Sequence, residues 1–170
     1  MDCDVVKKEQ MVIAVCGLKN SGKTTLLVKL VEICSKRGIK TAVIKHDGHD
    51  FSCDQPGTDS YRLYQAGAYG TAVYSDYRFF LHKEDDRKTV AELIRQFPEA
   101  GIVFLEGNKD SEYAKIEVIR KEISDTPVSN PKGRFLIATD FEPDRFQEPA
   151  LDINDIEGIF AKIQQQKKGM

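Results

Sequence analysis

Eight consecutive residues constrain this chain most: Gly17-Leu18-Lys19-Asn20-Ser21-Gly22-Lys23-Thr24. They fit G-x-x-x-x-G-K-[ST] without a mismatch. Upstream, Met11–Cys16 is a continuous apolar run, as expected of a strand buried on both faces. Downstream, Leu26, Leu27, Leu30, Val31 and Cys34 recur at helical spacing, and Lys36-Arg37-Gly38 supplies a basic last turn and a terminating glycine. A strand, a glycine-rich turn and a helix in this order make a phosphate-binding loop. The glycines let the backbone wrap a phosphate and present several N–H donors. The helix N-terminus adds about half a positive charge. Lys23 is placed to reach the β- and γ-phosphates, and Thr24 to put a hydroxyl on Mg2+. A glycine-rich turn with a solvated lysine is the bland alternative, and it does not explain why both flanks fit.

The rest of the chain extends this start. Thr41–Lys45 reads as a second buried strand, so the first 45 residues form a βαβ unit with a right-handed crossover. Asp59 is the expected N-cap of a short helix through Ala66. Thr71–Tyr74 and Phe79–Leu81 read as short strands around the turn Ser75-Asp76. Asp85 or Asp86 is expected to cap a helix carrying Val90, Leu93, Ile94 and Phe97, which Pro98 stops. Ile102–Leu105 is a third buried strand, Lys115–Arg120 an edge strand and Leu136–Ala138 a further strand. Asn154 and Glu157 resemble a capping box for the last helix. The expected fold is α/β: a P-loop NTPase-like three-layer domain, with a mostly parallel sheet and helices on both faces. At 170 residues, one domain over 11–170 behind a lead-in at 1–10 is expected, with two small lobes as the alternative.

Composition narrows the function. A net charge of −2 offers no global field for nucleic acid or an anionic membrane. No apolar run approaches the ~20 residues that span a bilayer. The charged N-terminus lacks the apolar core of a signal peptide, so the cytosol is the expected compartment. Cys3, Cys16, Cys34 and Cys53 form no C-x-x-C and read as reduced thiols, two of them in the core.

Mg2+ beside the loop needs a carboxylate. Glu106, at the end of Ile102–Leu105, and Asp47, two residues past Thr41–Lys45, are the two candidates, each with a surface acid as its alternative. The segment His46–Asp54 gathers two His, one Cys and three Asp. Its spacing matches no standard zinc signature, and its place after a parallel strand favours ligand contact over a structural metal. Arg62 either supplies charge to a phosphate or pairs with Asp59 at i+3, the pair being favoured. Asp140, just past Leu136–Ala138, is an acceptor-only group matched to guanine N1–H and N2–H2, or else an ordinary turn residue before Pro143.

Several stretches together resemble the MobB family of molybdopterin-guanine dinucleotide biosynthesis adapter proteins. They are G-L-K-N-S-G-K-T-T-L (Gly17–Leu26), I-K-H-D-G-H-D-F (Ile44–Phe51), D-Q-P-G-T-D-S-Y-R-L (Asp54–Leu63), A-G-A (Ala66–Ala68), L-E-G (Leu105–Gly107) and K-I-E-V-I-R (Lys115–Arg120). The resemblance implies a GTP-binding homodimer with slow GTP hydrolysis. It implies an accessory role beside a MobA-type guanylyltransferase, in making the dinucleotide form of the molybdenum cofactor. It carries Gly17, Lys19, Asn20, Ser21, Gly22, Lys23, Thr24 and Thr25 over as the GTP-phosphate site with Mg2+, and Glu106 as its strand-end acid. Asp47, His46 and His49 carry over as loop residues near the γ-phosphate or a molybdopterin ligand. Gly48 stands where the family commonly has the second of two paired histidines, and no N-K-x-D guanine-reading motif occurs.

Two other classes compete. A small-molecule kinase would need an acceptor site and an arginine-rich lid, whereas Arg78, Arg87 and Arg95 are scattered. A metallochaperone GTPase would carry its metal on His46, His49 and Cys53. An interaction module with a relict loop would bind no nucleotide. Phe79, Phe80 and Lys115–Arg120 are candidate elements of a dimer interface.

Overall fold

The computed structural model describes residues 10–47, 53–84 and 88–166. The chain divides into two compact units. Residues 47–92 form the smaller one, and the segments on either side form the larger.

The larger unit is built on six parallel strands. These are β1 (Met11–Cys16), β2 (Thr41–Lys45), β5 (Ile102–Glu106), β6 (Lys115–Ile119), β7 (Arg134–Thr139) and β8 (Ala150–Asp152), in the order β2-β5-β1-β6-β7-β8. Helix α1 (Lys23–Lys36) links β1 to β2, and α4 (Ile156–Gln166) ends the described chain. Both helices pack on one face of the sheet. Leu26, Leu30 and Cys34 of α1 and Ile159, Phe160 and Ile163 of α4 share a core with Ile13, Val15, Phe104, Ile116 and Leu136. The alternate strand residues Ala14, Cys16, Val103 and Leu105 are buried on the opposite face. Burial on both faces is what a continuous apolar run encodes, and it places β1 and β5 inside the sheet. The fold is α/β and P-loop NTPase-like, a mostly parallel sheet flanked by helices.

Lys115–Arg120 departs from its reading. It is no edge strand: β6 lies between β1 and β7, and all five of its residues are buried. Its alternation reads as one wet face because Lys115 and Glu117 are charged. Both charges are instead satisfied inside the protein. Lys115 Nζ donates to the carbonyls of Ser111 (2.7 Å), Asn130 (3.3 Å) and Lys132. Glu117 accepts from the Val128 and Ser129 amides (2.6 and 3.1 Å), the Ser129 hydroxyl and Arg134 Nη1 (3.0 Å). Arg134 turns its other nitrogens onto both oxygens of Glu148 (3.0 and 2.6 Å). The sheet's edges are β2 and β8. Strand β8 is three residues long, too short to show in the sequence.

Capping differs in detail. Thr58, not Asp59, caps α2 (Asp59–Gln65): its hydroxyl accepts from the Tyr61 amide at 3.3 Å. Asp155, not Asn154, caps α4, accepting from the Gly158 amide at 2.9 Å. Helix α3 (Val90–Ile94) is shorter than expected and starts at a Thr89–Glu92 capping box. The Asp85 and Asp86 caps lie outside the described residues.

In the smaller unit, α2 precedes an antiparallel hairpin of β3 (Gly70–Tyr74) and β4 (Phe79–Lys83). Arg62 pairs with Asp59 at 3.7 Å, as the i+3 spacing suggests. Tyr64 stacks on His82 and donates to Glu84. Tyr74, Tyr77, Phe79 and Leu81 stay exposed.

Candidate nucleotide site

The candidate site sits where β1 ends in mid-sheet. In a parallel sheet ligands bind outside the carboxyl ends of the strands, and β1 ends between β5 and β6. Glu106 ends β5 in register with Val15 of β1 and Lys45 of β2. The Gly107 amide donates to Val15 O at 2.9 Å, which carries the β1–β5 ladder to the very end of β5. From the other side β6 brings up Val118.

Two glycines make the loop passable. Gly17 has φ +134°, and a Cβ there would lie 2.4 Å from Val118 O. No other residue passes the end of β6 at that distance. Gly22, at φ +92°, is the residue from which α1 starts: its carbonyl accepts the Leu26 amide at 2.9 Å. No side chain caps α1, and its first turn holds no acidic residue. No side chain of its own first turn competes for its leading N–H groups, and the one carboxylate beside that turn, Glu106, is held on the Thr24 hydroxyl.

The predicted residues fall along this loop. Lys19, Asn20, Thr24 and Thr25 are exposed, and Ser21 is buried against Gly17. Ser21 Oγ has no hydrogen-bond partner among the described residues. Lys23 folds back to give Nζ to Leu18 O at 2.6 Å. Burial pulls the Lys23 ammonium below its ordinary value, and the Glu106 carboxylate opposes that. Thr24 Oγ1 donates to Glu106 Oε1 at 2.7 Å. Two cis ligands of an octahedral Mg2+ at 2.0–2.1 Å are about 2.9 Å apart, so this hard oxygen pair fits that ion.

The flanking candidates fare differently. His46 is exposed beside the Glu106–Gly107 turn, with its amide on Glu106 O at 3.2 Å. Asp47 opens the smaller unit. His49 lies outside the described residues, as do residues 48 and 50–52; Cys53 is exposed. Among the described residues no three His, Cys, Asp or Glu side chains gather as a metal site. Asp140 is held firmly. Its Oδ2 accepts from Arg120 Nε and its Oδ1 from the Lys121 amide, both at 2.8 Å. Burial pushes its carboxyl up, but these bonds outweigh burial and hold it below the usual carboxylate range.

The sequence profile of molybdopterin guanine dinucleotide synthesis protein B, MobB, matches residues 12–140. The chain belongs to the MobB family. It is 37% identical over 155 residues to the molybdopterin-guanine dinucleotide biosynthesis adapter protein of Escherichia coli K12, covering 86% of this chain and 87% of that one. The Haemophilus influenzae protein of the same name is 31% identical over 150 residues, covering 86% and 84%. Among solved structures, a molybdopterin-guanine biosynthesis protein B matches at TM-score 0.70 with 19% identity, over 92% of this chain and 99% of that one. Bacillus subtilis MobB matches at 0.68 with 23% identity, over 89% and 97%. At these identities the structures speak for the fold alone. In this MobB family member, sequence reasoning passed over Arg120 and the Val118 carbonyl. Arg120 had a signal, since it directly follows a buried strand at the sheet end where the loop lies.

Proposed function

We propose that this protein binds Mg·GTP on Gly17–Thr25 and acts as the adapter in molybdopterin-guanine dinucleotide synthesis beside a MobA-type guanylyltransferase. The Thr24–Glu106 contact carries this reading. It joins the loop hydroxyl to a strand-end carboxylate at a spacing that suits Mg2+. Loop and helix amides would take the phosphates, and Lys23 would leave Leu18 O for a phosphate oxygen. Thr24 and Glu106 would hold Mg2+, which supplies charge neutralisation at the phosphates. Asp47 is proposed as a further acid near the γ-phosphate, and His46 and His49 as contacts to phosphate or molybdopterin. The relatives' names support the adapter role.

Hydrolysis in this reading is slow and serves the adapter rather than turnover. A second copy is proposed to meet the hairpin, where Tyr74, Tyr77 and Phe79 expose their rings. No described helix is long and apolar enough to cross a membrane. The cytosol is the proposed compartment.

Calorimetry with GTP, ATP and GDP, with and without Mg2+, tests the core of this proposal. Preference for Mg·GTP supports it. Preference for ATP turns the reading toward a small-molecule kinase, and absence of binding leaves only a scaffold.

A further inference from the structure

A cavity of about 140 Å3 opens beside the loop, lined by Gly22 and Thr25 on one side and by Arg120, Asp140, Ile153 and Asn154 on the other. It lies where β6, β7 and β8 end, and Glu106 is not among its walls. Phosphates on the loop would leave the rest of a nucleotide to be housed nearby, and this cavity adjoins the loop directly.

We infer that the cavity takes the nucleobase and selects guanine, through Arg120, Asp140 and Asn154. The inference rests on the proposal that a nucleotide's phosphates occupy the loop. Arg120 spans the gap between loop and Asp140. Its Nε holds Asp140 Oδ2, while Nη1 comes within 3.6 Å of where a Gly22 Cβ would be. That fixes a planar cation at the cavity wall, a surface on which a purine ring stacks. Ile153 contributes the apolar contact.

Asp140 supplies the selection. Each of its oxygens accepts one hydrogen bond from the protein, and each keeps a second lone pair. An anionic carboxylate accepts and never donates. Guanine offers N1–H and N2–H2 together, a donor pair matched to it. Adenine offers the N1 lone pair, which repels it. Asn154 Oδ1 accepts from Lys29 Nζ at 3.2 Å, which leaves Nδ2 as donor for guanine O6. The Arg120 and Asp140 side chains are 38% and 29% exposed, so the pair is reachable from solvent.

The test is calorimetry of the full chain with Mg2+ and four ligands: GTP, ATP, XTP and inorganic tripolyphosphate. GTP is expected to bind at least tenfold more tightly than tripolyphosphate, ATP or XTP. Asp140→Asn is expected to weaken GTP at least tenfold and to strengthen XTP, because an amide N–H matches the xanthine C2 carbonyl. Tripolyphosphate affinity should not move. Arg120→Ala should weaken both GTP and ATP and again spare tripolyphosphate. Equal affinity of the wild type for GTP and tripolyphosphate overturns the base site while leaving the phosphate site standing. So does an Asp140→Asn variant that loses GTP without gaining XTP. Failure to bind tripolyphosphate or any nucleotide overturns the phosphate reading, and the base site with it.

Discussion

Thr24 and Glu106 stand 82 residues apart in the chain, yet the threonine hydroxyl donates to the glutamate carboxylate across 2.7 Å. The contact exists because β1 and β5 are parallel neighbours. Their carboxyl ends coincide, and α1 starts one loop beyond. If the pair holds Mg2+, Glu106→Gln removes the anionic ligand and leaves the loop amides intact. The expected result is a larger loss of GTP affinity in Mg2+ than in its absence. Parallel calorimetric titrations read it, and equal loss in both would argue against a metal role.

Lys23 rests on Leu18 O, a neutral acceptor. Exchange of that contact for a phosphate oxygen makes a charge-assisted bond worth about 1.5–3 kcal/mol, roughly ten- to a hundredfold in affinity. Lys23→Ala should forfeit at least that much. Unchanged affinity would dismiss the site.

Gly17→Ala places a methyl 2.4 Å from Val118 O at a φ of +134°. Strain of this kind costs about 1–3 kcal/mol. The variant should melt lower and lose nucleotide affinity as well, since the loop has to shift off the end of β6. A variant that melts earlier but binds normally would show that the loop's path is not critical for the ligand.

Glu117→Ala leaves Arg134 buried with one carboxylate where it had two, and orphans the Val128 and Ser129 amides. Removal of one member of a buried ion pair costs about 3–5 kcal/mol. Glu148→Ala should cost less, because that side chain is 33% exposed and its hydrogen bonds among the described residues go to the guanidinium. Urea denaturation of the two variants checks the order.

Burial pushes the Cys16 and Cys34 thiols up to about 11, against 9.0 for an ordinary thiol. In a Cys3→Ser background, exposed Cys53 should be the thiol that reacts readily with a thiol reagent at pH 8. Between about 9 and 11 the unfolded chain gives up these protons first, so the native state binds more protons than the unfolded one. Stability should therefore be unaffected by them below about pH 9 and fall as pH rises through 11. Flat denaturation midpoints from pH 8 to 11 would contradict the burial of both thiols.

Much of this protein is determined locally. Met11–Cys16, Gly17–Thr24 and the apolar stripe of α1 follow from continuous apolar runs, glycine freedom and helical period, all of which act over a few residues. The same reasoning reached Glu106 as a strand-end acid. What it could not reach depends on which strands become neighbours. Lys115 and Glu117 look solvated in sequence, because charge normally marks a wet face. They are buried because Arg134, Ser129 and three backbone carbonyls, 4 to 17 residues away, converge on them only once β6 and β7 pair. Asp140 reads alone as a turn residue or a base reader. Its carboxylate is oriented by Arg120, 20 residues upstream at the end of the adjacent strand. Backbone pattern is set by each segment's own chemistry. The partner that neutralises or aims a charge is set by strand order, which no short stretch of sequence contains.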